Sequence, residues 1–275
     1  MALGLGQALT KYEQLGDAFT ENQYSTIFGG GDEYIHVAGN AANEAIWPNS
    51  SGANRGWSIS LWVKGYESRA IYLITHQNAP SFDCHVRYNG NARITFFGGR
   101  SSSIYQRLNL NTEFFPANNT ESDWRHLVVT FDLTDDPESI VCYVDGDKFS
   151  DSEGNATYDN NGTWTAVTGL WSHTNSLPGT GDTLTFGYNS GVYLEYELDE
   201  VSIFDDVLNQ SQVNSLYNGG DPTNVSGVSD YLTAWWRMGD DDTPPTLSDN
   251  SGNGYDLTMV NMETADAENT DIPSS

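Results

Sequence analysis

The stretch from Glu197 to Gly220 constrains the chain most, because it reads as strand, turn, short helix and stop inside a sequence otherwise full of strand signals. Leu198, Val201, Ile203 and Val207 are apolar positions among acids. Asn209 suits an N-cap, and Gln210 to Tyr217 supplies about two turns of helix. Val213, Leu216 and Tyr217 share one face at spacings of three and four. Gly219 or Gly220 offers the positive φ that ends a helix. The expectation is a sheet protein with a single helical plug.

The strand signals run the length of the chain. Tyr24 to Phe28 and Glu33 to Val37 form a pair turned by Gly29-Gly30-Gly31-Asp32. Trp57 to Lys64 alternates strictly, with Trp57, Ile59, Leu61 and Val63 facing one way. Ala70 to Thr75 continues a sheet, and Cys84 to Tyr88 and Ala92 to Phe97 form a hairpin around Asn89-Gly90. Ser101 to Leu110, Trp124 to Asp132 and Ile140 to Phe149 follow, the last turning at Asp145-Gly146. Ser150 to Pro178 reads as a long irregular excursion carrying Trp164, Trp171 and His173. Leu184 to Tyr188, Val192 to Ile203, Tyr231 to Met238 and Leu257 to Val260 complete the set. Short strands, regular turns and one short helix predict an all-β fold, a two-sheet antiparallel jelly-roll sandwich. Residues 1–22 read as an N-terminal arm, 23–262 as one domain and 263–275 as an acidic flexible tail.

Charge limits the partners. The 275 residues carry a formal net charge of -27, which opposes nucleic-acid phosphates and anionic membrane surfaces. No apolar run is long enough to span a bilayer. Met1 to Lys11 lacks a basic leader, and glycines break its apolar stretch, so it does not read as a secretory signal. Cys84 and Cys142 are the two cysteines. Both lie in alternating patterns and read as buried free thiols.

Several segments together resemble the concanavalin A-like jelly rolls of the laminin G-like, pentraxin-like branch. These are Phe28 to Ile35, Trp57 to Val63, Trp124 to Asp132 with Tyr143-Val144-Asp145-Gly146, and Leu198 to Tyr217. Their order and spacing hold across roughly residues 24–220. The fold hosts lectins, hydrolases and structural modules, so it does not by itself name an activity. A second, shorter resemblance links Met1 to Gly6, Trp235 to Asp240 and Leu247 to Thr258 to virion proteins of tailed bacteriophages.

Glu195, Glu197 and Asp199 alternate along one strand face, within the separation at which carboxylates cooperate in glycoside hydrolysis. The matching acid pattern of laminarinase-like hydrolases is imperfect here, and Asp199-Glu200-Val201 resembles the non-catalytic branch. No catalytic residue is expected. The resemblance implies structural calcium at Asp32 and Asp199, since calcium takes six to eight oxygen ligands. The pentraxin ligand site would draw on Gln77-Asn78 and on acids after Tyr188, but Asn189-Ser190-Gly191 lacks those acids. Carbohydrate would meet Asn78, Asn189, Trp164 and Trp171, because aromatic faces suit the apolar side of a pyranose.

The leading expectation is therefore a non-enzymatic virion protein of a tailed phage, made in the host cytoplasm and decorating or cementing a capsid. It would contact the major capsid protein as a homo-oligomer, a trimer being favoured, and could touch host-surface glycans. The alternative is a calcium-dependent, lectin-like carbohydrate-binding module. The third reading is a β-glucan hydrolase acting through Glu195 and its neighbours.

Overall fold

The computed structural model describes residues 21–37, 46, 56–65, 71–76, 81–86, 91–97, 105–114, 121–132, 139–161, 184–189 and 192–274. At 71–76, 81–86, 91–92, 95–97, 105, 160–161, 189 and 192 it describes the backbone alone. In chain order the first strands are Thr26–Gly29 (β1), Tyr34–Val37 (β2), Trp57–Gly65 (β3), Ile71–His76 (β4), Ser81–Val86 (β5) and Asn91–Phe97 (β6). Tyr105–Glu113 (β7), Arg125–Phe131 (β8), Ile140–Val144 (β9), Asp147–Phe149 (β10), Ala156–Asn161 (β11) and Leu184–Phe186 (β12) follow. The rest are Tyr188–Asn189 (β13), Val192–Tyr193 (β14), Glu195–Phe204 (β15), Leu232–Trp236 (β16), Thr246–Leu247 (β17) and Leu257–Val260 (β18). Two helices, Gln210–Tyr217 (α1) and Thr264–Ala267 (α2), complete the described elements of more than three residues outside the sheets.

Two antiparallel sheets face each other. One runs β1-β15-β3-β8-β9-β10, with β16 also paired to β15, and the other runs β11-β7-β6-β5-β4-β12-β2-β18-β17. The alternation of β3 is the reason they seal. Trp57, Ile59, Leu61 and Val63 enter the shared core with Phe28, Phe186, Leu198 and Trp236. Ser58, Ser60, Trp62 and Lys64 take the opposite, outer face, as a period of two requires. This is the antiparallel jelly-roll sandwich expected from the sequence.

A second apolar cluster lies on the outer face of the seven-stranded sheet, beneath α1: Val128, Tyr143, Phe204, Leu208, Val213, Leu216, Val225 and Trp235. The helix begins as predicted. The Asn209 side chain accepts from the Ser211 and Gln212 amides, and Gln212 reaches back to the Asn209 amide. This reciprocal cap satisfies donors that the first turn would otherwise leave open. The left-handed residue at its end is Asn218 (φ 47).

Three expectations change. β1 and β2 are not a hairpin: β1 pairs with β15 and β2 with β12 and β18, so the glycine turn crosses between sheets. Strand signals flanking a glycine turn do not say which sheet each strand joins. The excursion after Ser150 contains β11, which pairs with β7 through six residues. The acidic tail is docked along residues 263–274. Its α2 turn buries Ala267, and Asn269 exchanges two backbone hydrogen bonds with Ser25, 2.8 and 3.1 Å. Gly239 (φ +129) permits the approach, since a Cβ there would lie 2.1 Å from the Ala267 carbonyl oxygen. The expected arm at 1–22 lies almost wholly outside the described residues. Cys142 is a buried free thiol, raised by burial beyond the range in which it would ionise. The side chain of Cys84 is outside the description.

Candidate functional site

Strand β15 carries the acids singled out in the sequence. Glu195, Glu197 and Asp199 face outward while Tyr196 and Leu198 enter the core. The alternation then breaks. Asp199 pairs with Trp62 and Ser202 with Ser60, so Glu200 and Val201 together oppose Leu61. This β-bulge places Glu200 at φ 47 and returns Val201 to the core. The three-residue step from Leu198 to Val201 is its trace in the sequence.

The bulge gathers charge in a buried place. Asp199 is fully buried, and Glu200, Arg237 and Asp240 are nearly so. Arg237 pairs with Glu200 at 3.1 Å and with Asp240 at 3.2 Å. The Trp235 indole donates to Glu200 at 2.5 Å, and the Gln23 amide donates to Asp240 at 3.1 Å. The Asn22 amide donates to Asp199 Oδ2 at 2.6 Å. Asp199 Oδ1 and Asn22 Oδ1 are buried and make no hydrogen bond. Burial, then the neighbouring Glu200 charge, pushes the Asp199 carboxyl well above the usual carboxylate range. Burial also lifts Glu200 to about 7, against the pull of Arg237. Arg237 thus answers Glu200 and Asp240, while Asp199 is held by Asn22 alone, with one oxygen of each left unsatisfied.

Asp32 does not join them. It sits exposed in the turn between β1 and β2, accepting from Asn261 Nδ2 at 3.0 Å, at the far end of β1 from Asp199. Among the described residues no three His, Cys, Asp or Glu side chains are arranged around a metal position. Asn78, Trp164 and Trp171 lie outside the described residues. Asn189 lies in β13, and its backbone alone is described.

Beside Asn189 the structure assembles an aromatic platform. The rings of Tyr34, Tyr188, Tyr193 and His36 lie on the outer face of the nine-stranded sheet, all partly exposed. Tyr188 and Tyr193 oppose each other in the β13–β14 hairpin at 5.1 Å. Tyr34 stands 5.6 Å from Tyr188, 6.4 Å from Tyr193 and 5.7 Å from His36. Thr185 and Thr258 flank His36 in register. Gly187 (φ +80) brings the hairpin in, because a Cβ would meet the Phe28 ring at 2.4 Å. The sequence signal was Tyr188 and Tyr193 bracketing a short turn, but their meeting with Tyr34 is a tertiary fact.

The sequence pattern of the concanavalin A-like lectin/glucanases superfamily matches residues 38–214. The chain belongs to this superfamily. A protein of Bacteroides ovatus ATCC 8483, provisionally named as carbohydrate binding, shares the fold at 12% identity with a TM-score of 0.51. The alignment covers 93% of this chain and 62% of that one, so the superfamily member spans less than two thirds of its length. A heptameric SAP-like pentraxin from Limulus polyphemus aligns over 90% of this chain and 99% of its own, at 13% identity and a TM-score of 0.43. The sialidase CBM40 of Ruminococcus gnavus, bound to α2,6-sialyllactose, aligns over 71% and 97%, at 8% identity and 0.44. At 12% identity the Bacteroides ovatus protein establishes likeness of fold only. No curated protein sequence matches the chain. The superfamily takes in lectins and glucanases alike, and the capsid-decoration expectation gains nothing from the relatives named. Among the described residues no helix is long and apolar enough to cross a membrane.

Proposed function

We propose that the protein is a non-catalytic carbohydrate-binding module that receives neutral glycans on the tyrosine platform. The platform carries the proposal, since three partly exposed phenol rings at mutual distances of 5.1–6.4 Å place aromatic faces and hydroxyls together at the surface. Such rings bury the C–H face of a pyranose while meeting its hydroxyls. The net charge of -27 favours uncharged sugars over acidic ones.

Hydrolysis is disfavoured by what the acids of β15 touch. Glu197 is held by Lys64 at 3.8 Å and by the Asn269 amide at 2.7 Å, and Asp199 is covered by Asn22. Paired hydrolytic carboxyls need an open groove for sugar and water. A glycan array followed by titration calorimetry tests the reading. Tyr188→Ala and Tyr193→Ala should each weaken binding about tenfold, near 1.4 kcal/mol. Unchanged affinity in both variants, or release of reducing sugar that a Glu195→Gln variant abolishes, sinks it.

Calcium belongs to the same proposal as a structural ion. The superfamily resemblance implies it, and the orphaned Asp199 Oδ1 and Asn22 Oδ1 fit it. Calcium would neutralise the excess carboxylates, with backbone and water oxygens completing six to eight ligands. Asp32 has no part in this site.

A further inference from the structure

The outer face of the seven-stranded sheet, opposite the platform, holds an open cleft of about 480 Å3, within the roughly 300–1,000 Å3 of small-molecule sites. Its floor is Trp62, 3% exposed, whose ring lies 5.9 Å from Tyr217 at the end of α1 and 4.8 Å from His126. Asp123, Trp124 and Arg125 form one wall, and Gly219-Gly220 with the Asp145 turn form another. The third wall is the docked C-terminal strap at Asp271, Ile272 and Ser274. The strap is fastened there by Lys64 and by the Trp124 indole, which donates to Asp271 Oδ1 at 2.9 Å.

The charges select the ligand. Arg125 Nε lies 2.8 Å from Asp145 Oδ2, and Lys64 faces Asp271, Glu121 at 3.6 Å and Glu197 at 3.8 Å. Both cations are thus answered by carboxylates of the protein itself. The remaining lone pairs of Asp123, Asp145 and Asp271 call for donors, and an incoming anion would meet uncompensated negative charge. The partly exposed rings of Trp124 and Tyr217, backed by the buried Trp62, call for an apolar face.

We propose that this cleft is a second sugar subsite, taking one neutral pyranose unit on the face opposite the platform. The choice of sugar as ligand class rests on the carbohydrate reading above, whereas the exclusion of anions rests on the cleft alone. The Trp124 indole N–H is a reporter that the platform does not touch. Its resonance, assigned with Trp124→Phe, is followed by nitrogen-edited NMR while methyl β-glucoside, β-galactoside, β-mannoside and β-glucuronoside are titrated separately. A saturable shift is expected with at least one neutral glycoside, none with the glucuronoside, and the same shift in Tyr193→Ala. Ser274→Trp, an exposed position at the mouth, should abolish the shift without lowering the melting temperature. Absence of any shift with the neutral glycosides, an equal shift with the glucuronoside, or loss of the shift in Tyr193→Ala overturns the subsite. Failure of the platform would appear separately, as array binding unaffected by Tyr188→Ala and Tyr193→Ala.

Discussion

Replacing Asp199 by Asn keeps the side-chain shape and removes one charge from a buried cluster of three carboxylates and one guanidinium. Without a cation, Asp199 Oδ1 is a buried acceptor with no partner, and its charge is opposed by Glu200. Relief of such a group is worth roughly 1–3 kcal/mol. Asp199→Asn should therefore raise the melting temperature in chelator by a few degrees, at about 2–4 °C per kcal/mol. With calcium at a hundred times its dissociation constant, the wild type gains about 2.7 kcal/mol. The variant forfeits most of that gain, so the order of stabilities inverts. The assay is urea and thermal unfolding of both proteins, with calcium and with chelator. The pH dependence has a definite sign. Burial raises the folded-state pKa of Glu200 from 4.5 to about 7, so the folded protein keeps a proton that the unfolded chain releases. Stability in chelator should fall as pH climbs from about 4.5 to about 7, and fall less steeply in Asp199→Asn. A variant less stable than wild type in both conditions, or a wild type indifferent to calcium, refutes the cation reading.

Three further outcomes are expected. Leu216→Ala, beneath α1, should cost about 2–5 kcal/mol by urea unfolding, because the sheet below cannot collapse into the space. Burial depresses His126 to about 3, so stability should drain away as pH falls from 6.5 toward 3. His126→Gln, which retains a partner for Ser60, should flatten that loss in an acid titration followed by circular dichroism. Burial works to raise the carboxyl pKa of Asp271, but hydrogen bonds from Lys64 and Trp124 outweigh it and the net shift is downward. Asp271→Ala should therefore speed proteolysis at the C-terminal strap while leaving the core melting transition within about 2 °C of wild type.

The sequence by itself determined the sandwich and the helix. Trp57, Ile59, Leu61 and Val63 can share an interior only as a strand of period two, and Asn209 with Gln212 can cap only a helix that starts between them. These are local constraints, carried by residues a few positions apart. Tertiary structure alone decided that β1 and β2 part into opposite sheets and that the acidic terminus docks on Lys64 and Trp124. It alone brought Tyr34 to Tyr188 and Tyr193, and Asn22, Arg237 and Asp240 to the bulge of β15. Each of those contacts joins positions more than a hundred residues apart, or depends on a bulge that a single left-handed residue creates. Periodicity reports which way a side chain points, whereas a site is set by what it meets there.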